Sequence, residues 1–481
     1  MNLTTVEVAG LLIGAALLIA LAVRLRKRLH AGDDFLLGRR RLDTQLGGFS
    51  IAMNSVPLTW LLILVATAYA VGKSAIWLAL ALVGGVILSG WNIAPRLRAR
   101  AQMQQAGTIS QLLADDAGEK TYAMLMRSMA LIAVISLSIA VAAQLQLVSG
   151  LLADSLAISQ VAVAAIVVFV LGITLVFSGF WITAIGDLVQ FALFVGVGVI
   201  CTIATIVAGY SADNTPVTTS DWFGDQHGLL IVSFLVGVQF LLGYAMGQSP
   251  LLARFMACKD DADLFGARKR ALLMTGLTTL LALAIGWSVR ALGTPDALSV
   301  DTFMDTLSHA LSPGVTTLLK LSMVVAMIVA MNNGLLAVAS HLANDLRRSG
   351  SLLSLLRCRL GLAVAVLLVA GFAIYLPQTT PQGNFDRMIF GWHAMGAAFG
   401  PIVIVRLTGK RVRPGSTLGA IWSGFLLTIV FHLMPDTPGD LLERSLPFTA
   451  SLGIALSGGE RRRDPDRADR GERTIHDRLP I

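Results

Sequence analysis

Apolar residues run in long stretches along nearly the whole chain, separated by short polar turns. Crossing a bilayer takes about 20 mostly apolar residues. Stretches of that kind predict helices over 5–23, 44–72, 74–95, 121–152, 155–178, 182–209, 227–248, 270–292, 314–345, 358–376, 387–407, 415–434 and 440–458. Inside a bilayer every backbone N–H and C=O must be bonded within the protein, so runs of this length are helices. Membrane strands would be about half as long and would alternate apolar with polar positions. The pattern predicts an all-α integral membrane protein with about thirteen transmembrane helices. The first run is expected to remain as a span, because no small-residue cleavage site follows Val23 and basic residues come next.

Composition agrees with this pattern and removes its competitors. Hydrophobic residues make up 55% of the 481 and charged residues only 14%, with a mean hydropathy of +0.73. A soluble domain carries about 25% charged residues, and disorder requires low hydrophobicity. Cys201, Cys258 and Cys358 lie far apart, in no zinc or redox spacing.

The net charge of +8 gains meaning from its placement. Of 37 Lys and Arg, 32 fall in 24–41, 96–127, 254–270, 347–359, 406–413 and the tail from Arg461, all alternate connections. Basic loops stay cytoplasmic. The N-terminus is therefore expected outside and the C-terminus inside, in a multi-pass protein of the cell inner (plasma) membrane. That orientation demands an odd number of spans. The basic excess marks a membrane face, so nucleic acid is not expected as a partner. The expected organisation is a first helix and basic loop over 1–43, a transport core over 44–434, a last helix over 435–458 and a charged, disordered tail over 459–481. The tail is read as solvated, with anionic membrane lipid as its alternative partner.

Transporters place their sites where spans are broken, since unwound backbone frees carbonyls and amides for ligands. Ala52-Met53-Asn54-Ser55-Val56-Pro57-Leu58-Thr59-Trp60 is one such interruption, because Pro57 removes a donor and clashes with the preceding turn. A simple proline kink is the alternative. Gln239 to Pro250, with two glycines and two glutamines, is a second. Its Phe240 and Tyr244 share a face, as packing or as a binding platform. Ala330-Met331-Asn332-Asn333-Gly334 is a third. Paired asparagines in mid-membrane either bond between helices or offer hard oxygens to a cation. Asp187 is an intramembrane acid, by default a functional candidate and here equally open to a structural role. Gln144 and Gln146 add polar positions to the fourth span. His341, His393 and His432 read as ordinary packed or interfacial residues, Gly243 and Gly247 as a close-packing pair. No phosphate loop, HExxH or nucleophile elbow occurs, so no enzyme and no organic cofactor is expected.

At these segments the chain resembles the sodium:solute symporter family, especially its sodium/proline branch. Gly247-Gln248-Ser249-Pro250-Leu251-Leu252-Ala253-Arg254-Phe255-Met256-Ala257 resembles the signature GQPHxxxRFMA. Asp34 to Arg39 resembles DYFLxGR, and Gly179 to Gln190 a GG-to-TDxxQ segment. Ala397 to Pro401 resembles AFGP, and Asn344-Asp345-Leu346 the close of the ninth span. The resemblance covers about residues 30–435. It implies two inverted five-helix repeats of the leucine-transporter type, spans two to eleven, rocking around a midplane site by alternating access. It also implies sodium as coupling ion, entering with one small organic solute such as an amino acid or carboxylate. Carried over by position, the ion falls among Asn54, Pro57, Ala326, Val329, Ala330 and Asn332. The solute falls against Ser55, Thr59, Trp60, Phe240, Tyr244 and Gln248, and coupling on Asp187.

Two positions depart from the pattern. The family's Ser-Asp-x-Ser-Gly stretch is here Ser55-Val56-Pro57-Leu58-Thr59, without the acid, and its hydroxyl pair in the ninth span is Val329-Ala330. Each lost charge-assisted contact is worth about 1.5–3 kcal/mol, roughly ten- to a hundredfold in ion affinity. Asn54, Asn332 or Asn333 would then substitute, or coupling would pass to Asp187, with a proton as the alternative cation. The expectation is a cation-coupled symporter. The alternative is a sodium-uncoupled or proton-coupled relative, or a solute sensor without transport. No arginine is evident in the pocket segments to fix a solute carboxylate.

Overall fold

A computed structural model describes residues 5–114, 117–211, 244–291, 309, 311–346, 353–379, 383–434 and 441–461. In chain order the helices are α1 (Thr5–Leu25), α2 (Gly32–Leu37), α3 (Thr44–Ser55), α4 (Leu58–Val71), α5 (Ile76–Leu88), α6 (Ala94–Met103), α7 (Ile109–Ala114), α8 (Glu119–Leu156) and α9 (Gln160–Ser178). They continue with α10 (Phe180–Ser211), α11 (Tyr244–Gly247), α12 (Ser249–Ala257), α13 (Asp261–Arg290), α14 (Pro313–Ser340), α15 (Leu355–Thr379), α16 (Asn384–Leu407), α17 (Pro414–His432) and α18 (Leu441–Ser457). Among the described residues, nine helical stretches are long and apolar enough to cross a membrane. The span expected over 227–248 lies mostly outside the described residues.

Local chemistry accounts for the ends that matter. Asp43 caps α3 by accepting from the Leu46 amide at 2.8 Å. The helix stops at Ser55, Val56 is extended (φ −130°), and Pro57, lacking an N–H, opens α4. The expected interruption in the second span is therefore a true break. The second break falls on Gln248 (φ −80°, ψ 110°), between α11 and α12. Asp260 caps α13 nine residues ahead of the expected start at 270, accepting from the Asp263 amide at 2.7 Å.

Two expectations are corrected. The helix α14 runs without interruption through Ala330–Gly334, because Asn333 spends its amide on partners in other helices rather than on its own backbone. The irregular turn comes later, as a π-helical segment over His341–Asp345. The tail is also ordered at its start: β2 (Gly459–Arg461) pairs antiparallel with β1 (Lys410–Val412), with Arg411 opposite Glu460.

The core gathers around α10 and α16. The first packs against α3, α13 and α14, and the second is buried between α8, α11, α17 and α18. The turn into α10 is made by Gly179 (φ +50°), where a Cβ would lie 2.8 Å from the Phe35 carbonyl oxygen. At Gly247 a Cβ would come within 2.9 Å of backbone atoms of Gly396 and Gly400, so α11 touches α16 backbone to backbone. Gly243, the other half of that expected pair, lies outside the described residues.

Candidate ion and solute site

Asp187 lies in the third turn of α10 and is fully buried. Its Oδ2 accepts from Ser50 Oγ at 2.5 Å and from Asn54 Nδ2 at 3.0 Å, both on α3. Its Oδ1 accepts from Asn333 Nδ2 on α14 at 2.7 Å. The Arg254 guanidinium on α12 stands 3.6 Å from Oδ2 and is buried with it. Arg254 Nη2 also donates to Thr183 Oγ1 at 2.6 Å and to Asn333 Oδ1 at 2.5 Å, and the guanidinium lies 4.4 Å above the Phe180 ring. A buried charge persists only when paired and hydrogen-bonded. Here one carboxylate and one guanidinium tie together four helices, two of which border the breaks. The sequence singled out Asp187, Asn54 and Asn333; Arg254 was legible only as a motif residue, and Ser50 carried no sequence signal.

The carried-over ion position has a different character. A Cβ on Gly186 would come 2.6 Å from Val329 Cγ1, so α10 and α14 meet there through apolar packing. Val329 and Ala326 are buried and Ala330 is half-buried, and none has a side-chain oxygen. Three buried side-chain oxygens nearby in sequence have no hydrogen-bond partner among the described residues: Thr59 Oγ1, Gln190 Oε1 and Asn332 Oδ1. Leaving such groups unmatched costs about 1–3 kcal/mol each, which a water or a ligand would offset. Gln190, one turn from Asp187 on the same face of α10, was visible in the sequence only within the family motif.

The solute candidates converge in part. Trp60 on α4 stacks on Trp392 of α16, with ring centroids 5.9 Å apart and planes at 25°. Gln248, at the second break, donates from Nε2 to the Trp392 carbonyl at 2.8 Å. Trp392, not singled out by the sequence, thus joins the two broken segments. Ser55 and Thr59 are fully buried beside them in the chain. Phe240 and the side chain of Tyr244 lie outside the described residues. Gln144 and Gln146 are both buried on α8; Gln146 accepts from Arg387 Nη1 at 3.1 Å.

A second buried polar chain surrounds His341. Its Nδ1 is 2.6 Å from Asp345 Oδ2, its Nε2 is 2.9 Å from Ser249 Oγ, and Asp345 Oδ1 accepts from Thr108 Oγ1 at 2.5 Å. His341 is therefore bonded into a network linking the π-helical segment to α12 and to the turn before α7. Between this network and the Asp187 pair lies a small cavity of about 20 Å³, room for about one water, lined by Arg254, Thr108, Ser249, Ser340, Asn333 and Phe180 among others. Arg254 is a buried arginine facing a cavity, which the sequence reading did not expect.

Comparison with known proteins places this geometry. The sodium:solute symporter family matches residues 35–426. The osmoregulated proline transporter OpuE of Bacillus subtilis is 26% identical over 420 residues, covering 83% of each chain. The high-affinity proline transporter PutP of the same organism is 25% identical, over 89% of this chain and 92% of its own. The sodium/proline symporter of Salmonella typhimurium is 24% identical, over 83% and 82%. Among solved structures, a substrate-bound, outward-open Na+-coupled sialic acid symporter superposes with a TM-score of 0.72 at 16% identity, over 95% of this chain and all of that one. The nucleobase-cation-symport-1 transporter Mhp1, closed around bromovinylhydantoin, gives 0.55 at 13%, over 89% and 94%. At these identities the structures speak for the fold.

Proposed function

Because the chain belongs to the sodium:solute symporter family, it is a membrane transporter that couples a solute to sodium and not an enzyme, and from that premise we propose its solute, its site and its coupling device. The solute is a small amino acid of the proline type. The names of the related transporters support this. So do the stacked rings of Trp60 and Trp392, with Gln248 bonded to the Trp392 carbonyl, an aromatic and polar surface suited to a compact zwitterion with an apolar body.

The membrane frame is thirteen spans, with the N-terminus outside and the C-terminus cytoplasmic. The basic residues of alternate loops support it. Residues 44–434 form the transport core, flanked by 1–43, by the last helix over 435–458 and by the tail. Two inverted five-helix repeats are supported by the two breaks, Val56–Pro57 and Gln248, each in the first span of its half. Sodium would sit among backbone oxygens freed at Asn54–Pro57, with the unmatched Asn332 and Gln190 oxygens. These replace hydroxyls that Val329 and Ala330 cannot supply.

The Asp187 network carries the reading. It fastens α3, the first half of one broken span, to α12, which follows the other break. Opening toward the basic loops requires α3 and α12 to part. That separation strips Asp187 of partners, and a cation one turn away lowers the cost by attraction. Uptake of radiolabelled L-proline into proteoliposomes should rise with an inward sodium gradient and fall at least tenfold in Asp187→Asn. Uptake indifferent to collapse of both sodium and proton gradients would refute coupling. Sodium dependence unchanged in Asp187→Asn would refute the role of the acid.

A further inference from the structure

We propose that the cavity beside the Asp187 layer is a second binding subsite, which takes the solute's carboxylate on its way to the cytoplasm with Arg254 as its anchor. The proposal rests on the reading of the solute as an amino acid. Three observations point to it. Arg254 is the one charged side chain lining the cavity among the described residues, so a carboxylate entering it meets a guanidinium. Its donors are also incompletely used. The hydrogen bonds described for the guanidinium all leave from Nη2, and the buried Nε has no partner among the described residues. A guanidinium offers five donors in a planar fork that matches a carboxylate. Finally, the cavity walls divide by chemistry. Thr108, Ser249 and Ser340 supply hydroxyls, and Phe180 with Leu336 supplies an apolar wall.

Arg254 stands 3.6 Å from Asp187, beyond the contact distance of a tight ion pair, and is held mainly by Asn333 and Thr183. An arriving carboxylate can therefore engage the guanidinium with only a long Asp187 contact to displace. While bound it competes with Asp187 for the same positive charge, which loosens the tie between α3 and α12. Its departure lets Asp187 recover the guanidinium. The subsite is accordingly weak and transient, as an exit site must be.

The test uses the full chain with one reporter, Ser340→Cys, in sodium-free detergent solution. Among the described residues Ser340 bonds only to its own helix, at the Leu336 carbonyl, and the native Cys201, Cys258 and Cys358 are buried. The rate of modification by the anionic reagent sulfonatoethyl methanethiosulfonate is measured with and without propionate, and with propionamide as the neutral control. Propionate at twice its dissociation constant should slow modification about threefold, and propionamide should not. The ratio should return to one in Arg254→Gln. In Arg254→Lys, which keeps charge and packing, protection should survive at higher propionate concentration. Equal protection by propionamide, protection persisting in Arg254→Gln, or none in the parent would overturn the proposal. Because no sodium and no transport enter this assay, its failure is distinguishable from failure of L-proline uptake.

Discussion

Replacing Asp187 by Asn exchanges one oxygen for an NH2 group, yet it removes the counter-charge of a guanidinium buried in the protein. Asp187 accepts from Ser50, Asn54 and Asn333 and faces Arg254 at 3.6 Å, with both charged side chains almost wholly buried. A carboxamide keeps one accepting oxygen and turns an NH2 toward donors that had met an acceptor. Breaking one side of a buried pair costs about 3–5 kcal/mol, because the remaining charge is uncompensated. Arg254→Gln should cost a similar amount by leaving the carboxylate. The double variant Asp187→Asn with Arg254→Gln contains no buried charge, and two neutral amides cost only about 0–2 kcal/mol against the native pair. The cycle therefore predicts a coupling of roughly 4–10 kcal/mol. For a chain of this size each kcal/mol moves the melting temperature by about 1–2 °C. Each single variant should melt about 3–10 °C below the parent, and the double variant above both. Melting of purified protein in one detergent, followed by intrinsic fluorescence, measures all four forms. Additive losses, with the double variant lowest, would refute an energetically coupled pair.

Three further outcomes follow from the same geometry. Restoring hydroxyls as Val329→Thr with Ala330→Ser should lower the sodium concentration for half-maximal uptake about tenfold or more, each contact being worth about 1.5–3 kcal/mol; an unchanged sodium curve would place the ion elsewhere. Gly247→Ala puts a Cβ against the backbone of Gly396 and Gly400, so it should lower stability by about 1–3 kcal/mol, read as melting temperature, and native-like melting would show that α11 and α16 can separate. Burial pushes the Cys258 thiol up to about 12, leaving about one thiolate in ten thousand at pH 8. N-ethylmaleimide should label Cys258 only after unfolding in dodecyl sulfate, and rapid labelling of the native chain would contradict its burial.

The two breaks set the design of the site. A continuous helix uses up its own backbone groups, whereas an end in mid-membrane leaves them exposed to a ligand. Pro57 produces the first end by chemistry that any sequence reader can apply. The break at Gln248 depends on context, since its side chain reaches across to the Trp392 carbonyl and Pro250 enters the first turn of α12. Asn332–Asn333–Gly334 shows the converse. The local signal resembles a break, but partners on α10 and α12 satisfy Asn333, and the helix continues.

By itself the sequence determined the solvent in which this protein folds and the helices it forms there. Apolar runs must hydrogen-bond their own backbone in a bilayer, and that requirement is local. It also exposed the first break and the one acid worth suspecting, Asp187, because proline and buried charge carry their costs wherever they occur. Tertiary structure alone decided what that acid meets. Ser50 lies 137 positions away, Asn333 lies 146 away, and Arg254 comes from a segment that reads as the mouth of a basic loop. It likewise bonded His341 to Ser249 and Asp345, and folded Gly459–Arg461 back onto Lys410–Val412. Such contacts depend on which helix faces pack together, and no spacing along the chain encodes that.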